Sequence, residues 1–341
     1  MKFKFENTST EILFQTDINI EFQKGENNVF VIDSKILVLY SSLFEKVDDR
    51  SKIYEYNAIE DNKNQASLID IYRFLQDRNV NRNTRIFGIG GGVTTDIAAF
   101  AASTYKRGCR LILVPTTLLG MVDAAIGGKT GINFKNIKNG IGSFFPAEKV
   151  MVNPEFLKTQ PEADYKAGLV EIVKMSFLKD SKLQSMLEQN FKIDQLIEEA
   201  VKTKMQLCEL DLHDKSSRRF LNLGHTFGHV LESVSSYEIS HGEAVAIGIR
   251  AAARLSLIKH FIDEPVYNQI IARLDRHGFS KSFPKKHRAK LLKRGTEILM
   301  QDKKADDKLN LILFKGLQEL FVYKTDNRLE VMKSLTEFAD D

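Results

Sequence analysis

The sequence predicts a two-domain protein: an α/β domain with a mostly parallel sheet at residues 1–157, and an all-α domain at residues 158–341. Short apolar strand patterns alternate with helical patterns in the first part, and such alternation is typical of parallel sheets that bind nucleotides. Long helical patterns dominate after residue 160. A length of 341 residues is sufficient for two domains.

Four apolar runs predict strands of the parallel sheet, namely NVFVID (28–33), KIYEYN (52–57), RIFGIG (85–90) and RLILVPTT (110–117). The segments between them have helical spacing, which predicts helices at 66–79 and 94–106. Residues 86–103 are apolar enough to suggest a membrane span, but their glycine run and Asp96 favour a strand, a turn and a helix.

In the second domain, Pro161 and Glu162 are typical of a helix N-terminus. Further helices are predicted at 183–206, 225–236, 242–260 and 264–276, and a strand at LNLILF (309–314). The basic run at 281–294 indicates a solvated helix face rather than a nucleic-acid site.

The composition is that of an ordinary globular protein, with 43% hydrophobic and 28% charged residues. A net charge of +4 does not indicate nucleic-acid binding, although it suits an anionic ligand. Neither Cys109 nor Cys208 belongs to a CxxC pair, and the N-terminus has no signal-peptide pattern. We therefore expect a cytoplasmic protein without a membrane segment.

Gly90, Gly91 and Gly92 lie between a predicted strand and a predicted helix, where a pyrophosphate can approach the helix N-terminus. Glycine turns are common, so this pattern alone leaves a plain turn open. Thr116 and Thr117 follow the next strand, at the edge where such sheets bind ligands. Upstream, Glu60 and Lys63 could reach ribose hydroxyls, or they could lie in a solvated turn.

Three of the seven histidines, His225, His229 and His241, fall within one short segment beside apolar helical patterns. Glu171 and Lys174 share a face of another apolar helix, where a buried carboxylate needs a partner. One glutamate with two histidines is typical of a catalytic zinc site. The spacing does not decide which histidines bind, because His225 and His229 also form a suitable pair. A buried polar patch is the simpler alternative.

Several cations lie in glycine-rich loops or beside the predicted elements. They are Lys129, Lys138, Arg107, Arg218, Lys303 and Lys304. Each one alone could be a solvated surface charge. As a group they suit a small, strongly anionic substrate such as a sugar phosphate.

From about residue 28 to the end, the sequence resembles the 3-dehydroquinate synthase family of sugar-phosphate cyclases. The resemblance is densest in GGGVTTDIAAFAASTYKRG, VPTTLLGMVDAAIGGKTGIN, KNGIGSFF, AGLVEIVK, LNLGHTFGH and HGEAVAIG. It implies an NAD-binding α/β domain joined to a helical metal- and substrate-binding domain.

The resemblance also implies residue roles. Glu171, His225 and His241 would bind Zn²⁺, with Co²⁺ as the alternative, and His229 would face the substrate. The rest of the substrate pocket would be Asp123, Lys129, Asn139, Lys174, Lys204, Arg218, Asn222 and Lys303. The NAD contacts would be Glu60, Lys63, Gly92, Val93, Thr94, Thr95, Asp96, Thr116, Thr117, Lys129, Lys138, Phe156 and Thr159. Arg107 would reach the neighbouring site of a homodimer.

The implied activity is that of a carbon–oxygen lyase of the shikimate pathway, in aromatic amino acid biosynthesis. It converts 3-deoxy-D-arabino-heptulosonate 7-phosphate to 3-dehydroquinate and phosphate. One departure is Asp214, which stands where the family commonly has glutamate. The alternatives are a cyclase for sedoheptulose 7-phosphate or glucose 6-phosphate, a metal-dependent polyol dehydrogenase, and a non-catalytic nucleotide sensor.

Overall fold

The computed structural model describes the chain except residues 7, 17–26, 46, 48, 136, 190, 237, 280, 302–307 and 340–341. Contacts within the described part divide it into two compact units. The first unit contains Met1–Tyr165 and Ile193–His213, and the second contains Lys166–Lys192 and Asp214–Asp341.

The first unit contains the predicted parallel sheet. Its strands are β1 (Lys2–Phe5), β2 (Thr8–Phe14), β3 (Asn28–Asp33), β4 (Ile53–Tyr56), β5 (Arg85–Gly90), β6 (Arg110–Pro115) and β9 (Lys149–Val152). The described strands follow the order β1-β2-β9-β6-β5-β3-β4. All neighbouring pairs are parallel except β1 and β2. The central strands are almost wholly buried, as apolar runs of this kind require.

Helices of the first unit pack beside this sheet. They are α1 (Ser34–Leu39), α2 (Ser41–Phe44), α3 (Gln65–Asp77), α4 (Gly92–Thr104) and α7 (Ile193–Leu210). Helix α4 contacts β3, β5 and β6. The chain passes from β3 to β4 on one side and then returns to β5 on the other, so the strand order reverses between β3 and β5. Ligands of such sheets bind outside the carboxyl ends of the strands at this point.

A separate hairpin of β7 (Lys129–Phe134) and β8 (Ile137–Phe144) lies beside α4. It begins after Gly127 and Gly128, which have φ values of +87° and +74°. A side chain at Gly128 would lie 2.8 Å from the backbone nitrogen of Pro146, so only glycine fits there.

The second unit is helical apart from one described hairpin. Its helices are α6 (Leu183–Glu188), α8 (His225–Val234), α9 (His241–Ile258), α10 (Glu264–Arg276), α11 (Arg288–Gln301) and α12 (Arg328–Thr336), together with most of α5 (Glu162–Met175). The antiparallel hairpin consists of β10 (Leu309–Gly316) and β11 (Glu319–Thr325). Helix α9 contacts α8, α10, α12 and β10, and its alanine-rich surface is mostly buried.

The structure differs from the sequence prediction in three places. The helical pattern at 183–206 is two helices, α6 and α7. Helix α7 belongs to the first unit, although the predicted boundary at 157/158 put it in the second domain, because α7 contacts β1 and residues 120–124. The second unit is not all helical, because β10 and β11 pair there. No helix in the described part of the chain is both long and apolar enough to cross a membrane.

Candidate active site

The glycine turn lies at the carboxyl end of β5, where the strand order reverses. A side chain at Gly90 would lie 2.6 Å from Oγ1 of Thr94 and 3.0 Å from Cβ of Asp33. A side chain at Gly91 would meet Thr117 at 3.1 Å. Gly91 is the N-cap of α4, and no side chain caps this helix. The first-turn N–H groups of α4 therefore face a turn where a phosphate group can come close to the backbone.

Two buried hydroxyls at this edge also favour a ligand. Thr94 is fully buried and Thr116 is 3% exposed. Neither side-chain oxygen has a hydrogen-bond partner among the described residues. Buried polar atoms normally find partners, so these hydroxyls are suited to a polar ligand. Thr95 instead donates back to the carbonyl oxygens of Gly91 and Gly92, at 3.2 and 3.1 Å.

Lys63 is the centre of a polar cluster beside α4. Its Nζ donates to Oδ2 of Asp96 at 3.0 Å and to Oδ1 of Asn139 at 2.7 Å, and lies 3.6 Å from Oε1 of Glu60. Lys63 is only 5% exposed. Burial lowers the pKa of Lys63, but the neighbouring carboxylates outweigh it and raise that pKa overall. The structure thus brings together four predicted site residues, all anchored around one ammonium group.

A second charged pair in the first unit joins Asp123 and Lys204. Nζ of Lys204, on α7, donates to the carbonyl oxygen of Asp123 at 2.6 Å and to its Oδ1 at 2.5 Å. Asp123 lies in the helical turn at Gly120–Ala124. An ammonium group has three donors, so this pairing fixes Lys204 and uses two of them.

Phe156 and Thr159 follow β9 in a short helical segment. Oγ1 of Thr159 lies 2.8 Å from the hydroxyl of Tyr40, and the rings of Tyr40 and Phe156 lie 5.0 Å apart. Lys129 and Lys138 lie on the hairpin of β7 and β8, and both are exposed.

Arg107 lies apart from the other predicted residues of the first unit. It is exposed in the turn between α4 and β6, with φ of +63°. This turn precedes β6 and therefore lies at the amino ends of the parallel strands. Helix α4 rises about 1.5 Å per residue, so its thirteen residues separate Arg107 from the glycine turn at its other end.

In the second unit, Glu171 has the environment of a metal ligand. The residue is fully buried on α5, and neither carboxylate oxygen has a hydrogen-bond partner among the described residues. The ammonium group of Lys174 lies against it. Its Oε1 is 3.9 Å from Nε2 of His225 and 3.9 Å from Nε2 of His241.

The donor atoms of Glu171, His225 and His241 all lie within 4.8 Å of one another. A tetrahedral zinc site places its ligand atoms about 3.4 Å apart, so a shift of well under 1 Å per side chain would bring these atoms together. Burial, together with the charge of Lys174, holds the pKa of His225 well below its usual value. A neutral imidazole is the form that binds metals. The three residues fit a divalent ion.

His229 lies beside this cluster. Its ring centroid is 5.8 Å from that of His225, and the residue is exposed. A cavity of about 240 Å³ is lined by His225, His229 and Asn222, with Asp214 and Arg219 on its wall. His229 is therefore placed to meet a small molecule beside the three-residue cluster.

Close helix packing brings the donors together. A side chain at Gly242 would lie 2.4 Å from Cα of Ala167, and one at Gly248 would lie 2.1 Å from the carbonyl oxygen of Gly224. Glycine at these positions lets α9 approach α5 and the residue before α8. Because Glu171 is on α5 and His225 begins α8, these close approaches position the donors.

The predicted substrate pocket also includes Arg218 and Lys303. Arg218 is 2% exposed and lies in the short helical segment Ser217–Asn222, which ends four residues after it at Asn222. Lys303 lies outside the described residues.

Asp33 was not predicted as a site residue, although it ends β3 where the strand order reverses. Its carboxylate accepts the N–H of Lys35 at 3.0 Å, and burial raises its pKa. The sequence does contain a pattern that could have identified it, because an acidic residue directly follows the apolar run NVFVI. Asn133 was also missed; its Nδ2 donates to Oε1 of Glu60 at 2.8 Å, and only the folded hairpin reveals this.

Family models place the chain among known proteins. Residues 53–167 match the model described as 3-dehydroquinate synthase N-terminal, and residues 168–305 match 3-dehydroquinate synthase C-terminal. A 3-dehydroquinate synthase of Clostridium tetani is 33% identical over 342 residues, covering 97% of this chain and 91% of that protein. The chain belongs to the 3-dehydroquinate synthase family.

Solved structures of cyclases with other names have the same fold as this chain. A 2-deoxy-scyllo-inosose synthase, crystallised with carbaglucose-6-phosphate, NAD⁺ and Co²⁺, has a TM-score of 0.83 at 21% identity and covers 99% of each chain. A 2-epi-5-epi-valiolone synthase from Streptomyces hygroscopicus, with NAD⁺ and Zn²⁺ bound, has a TM-score of 0.80 at 24% identity and covers 99% of this chain and 98% of that one. Membership of the family confirms the resemblance, and these likenesses confirm the predicted fold class.

Proposed function

We propose that the chain is a 3-dehydroquinate synthase. It converts 3-deoxy-D-arabino-heptulosonate 7-phosphate to 3-dehydroquinate and phosphate, with NAD⁺ and a divalent metal ion. The observation that carries the proposal is the intact donor set of Glu171, His225 and His241 in a chain that matches this family over most of its length. A non-catalytic nucleotide sensor would not require a buried carboxylate positioned to bind a metal.

NAD⁺ is assigned to the first unit. The uncapped start of α4 offers N–H groups to the pyrophosphate, and Gly90–Gly92 leave room for it. The hydroxyls of Thr94 and Thr116 would bind the ligand at the same edge. Glu60 and Lys63 carry the charges suited to ribose hydroxyls, and Asp33 at the switch point joins them. The two solved cyclases with NAD⁺ bound support this assignment.

The metal is assigned to the second unit, with Zn²⁺ as the first choice and Co²⁺ as the alternative. When bound, NAD⁺ would accept a hydride from the substrate and later return it, while the metal polarised the oxygen at that carbon. Lys174 lies against Glu171 and would bring a positive charge near that oxygen. His229 places an exposed imidazole where it could move a proton.

The remaining cations would bind the two anionic ends of the substrate. Lys129 and Lys138 are exposed on the hairpin, and with Asn139 they suit the phosphate. Arg218 and Lys204 are proposed for the carboxylate; Lys204 keeps one donor beyond its contacts with Asp123. The carboxylate distinguishes this substrate from sedoheptulose 7-phosphate and glucose 6-phosphate, which lack it.

We also propose that the protein is a cytoplasmic homodimer in which Arg107 reaches the neighbouring site. The position of Arg107 supports this, because it is exposed at the edge of the sheet away from its own glycine turn. Both cysteines are buried thiols rather than a disulfide, as in proteins of a reducing compartment.

The substrate is tested by phosphate release from the heptulosonate phosphate and from sedoheptulose 7-phosphate, with wild type and Arg218→Ala. A charge-assisted contact to a carboxylate contributes roughly 1.5–3 kcal/mol. Arg218→Ala should therefore lower kcat/KM for the heptulosonate phosphate by up to about a hundredfold. The carboxylate-free sugar should be a poor substrate and nearly indifferent to the change, which controls for damage to the fold. A wild type that prefers sedoheptulose 7-phosphate would refute this substrate.

A further inference from the structure

We propose that Glu232 is a positioning residue of the metal centre, which orients the imidazole of His241 so that its Nε2 faces the metal. The inference rests on the proposed metal site. Glu232 belongs neither to the predicted site residues nor to the cluster of Glu171, His225 and His241.

The geometry places His241 between two carboxylates. Oε1 of Glu232 lies 3.5 Å from Nδ1 of His241, and Oε1 of Glu171 lies 3.9 Å from Nε2 on the other side of the ring. A carboxylate facing Nδ1 keeps the proton on that nitrogen. The lone pair of Nε2 is then directed toward Glu171, where the metal would bind.

The two proposed histidine ligands are oriented by different means. Nδ1 of His225 lies 3.2 Å from the carbonyl oxygen of Leu223, only two residues earlier in the chain. The main chain therefore orients His225. His241 is the first residue of α9, and the group facing its Nδ1 is a side chain from another helix, α8. Substitution can remove the second orienting group but not the first.

The position of Glu232 on α8 supports a functional role. It lies seven residues after His225, which is two helical turns, so both side chains share one face. Glu232 is 3% exposed, and its neighbours Leu231 and Val230 are buried. A carboxylate in such surroundings costs free energy unless it is paired. Its contact with Nδ1 of His241 supplies such a partner.

The test is the affinity of the purified protein for Zn²⁺, measured by competition with a chelator. Loss of an orienting partner typically weakens metal binding about 10–100-fold, and we expect this loss for Glu232→Ala. Glu232→Gln keeps the size and one acceptor oxygen, so its loss should be smaller. With Co²⁺ in place of Zn²⁺, the visible absorption spectrum of both variants should change, because the ring of His241 is held less firmly.

Glu243→Ala is the matched control. Glu243 is exposed and forms a capping box with Ser240 at the same end of α9. Its removal should lower the melting temperature, as loss of a cap does, and leave zinc affinity unchanged. An equal loss of zinc affinity in Glu243→Ala would show that the helix end, rather than the contact with Nδ1, is responsible, and would overturn the proposal.

Zinc binding by Glu232→Ala as tight as in wild type would also overturn it. If that variant does not fold, Glu232→Gln decides in the same way. Glu171→Ala and His241→Ala separate this inference from the site on which it rests. Loss of zinc in these two variants, with normal binding in the Glu232 variants, would reject only the role of Glu232. Normal binding in all of them would reject the metal site itself.

Discussion

Glu171 shows what a single residue reveals at the sequence level. A carboxylate in the apolar run GLVEIVK is costly to bury without a partner, so the sequence alone made it a candidate metal ligand. The sequence could not choose among the histidines, because His225 and His229 are four residues apart and His241 is distant in sequence. The distances in the folded unit favour His225 and His241, and they depend on how α8 and α9 pack.

The proposed metal ligands can be tested one by one. Glu171→Ala and His241→Ala should each lose zinc and all activity, because each would remove one of the three proposed protein ligands. His229→Ala should keep the metal and lose mainly kcat, since its ring lies beside the donor cluster rather than in it. Metal analysis of the purified variants is the measurement. An empty His229→Ala together with a fully loaded His241→Ala would reverse the assignment.

Individual helices and strands were predicted more successfully than their packing. Strand β5 begins and ends at the predicted residues, and so does α10. The pairing of α7 with the first unit was missed, because apolar spacing shows which face of a helix is buried but not what covers it. The close approach of α9 to Gly224 was missed for the same reason.

That close approach gives a prediction for the packing of α8 and α9. Gly248→Ala would place a methyl group 2.1 Å from the carbonyl oxygen of Gly224, a backbone atom that cannot move alone. We expect a loss of about 3 kcal/mol in the free energy of unfolding. Zinc binding should weaken as well, because Gly224 directly precedes His225.

Gly295→Ala on α11 is the control for this prediction. Its new methyl group would meet the flexible end of Met332, at 2.4 Å from Cε. The helix propensity of alanine offsets the cost of moving that side chain, so stability should change by less than about 1 kcal/mol. Denaturant unfolding compares the two variants. Equal stability of Gly248→Ala and Gly295→Ala would contradict the packing argument.

At the scale of the whole molecule, the sequence predicted two domains with separate chemical roles. The structure has a parallel sheet with a glycine turn in the first unit and the candidate metal centre in the second. A single sequence does not predict contacts between two subunits. Only the resemblance indicated that Arg107 would reach a neighbouring site, because its exposed turn has no apolar pattern that predicts an interface.

A hybrid dimer tests the role of Arg107. Arg107→Ala and Glu171→Ala dimers should both be nearly inactive. In a dimer with one subunit of each kind, the Arg107→Ala subunit keeps its metal ligands and receives Arg107 from its partner. One of the two active sites of the hybrid dimer should then work, so the dimer should have about half of wild-type activity. Differently tagged subunits allow the hybrid to be purified and assayed. A hybrid as inactive as its parents would show that Arg107 acts within its own subunit.

The most direct test of the proposed reaction is the number of substrate molecules converted per NAD⁺. A 3-dehydroquinate synthase returns the hydride it removes, so NAD⁺ acts catalytically. With a small amount of NAD⁺ and excess heptulosonate phosphate, phosphate release should continue through many turnovers while no NADH accumulates. One NADH formed for each substrate consumed, or no phosphate released, would contradict the account and favour a polyol dehydrogenase.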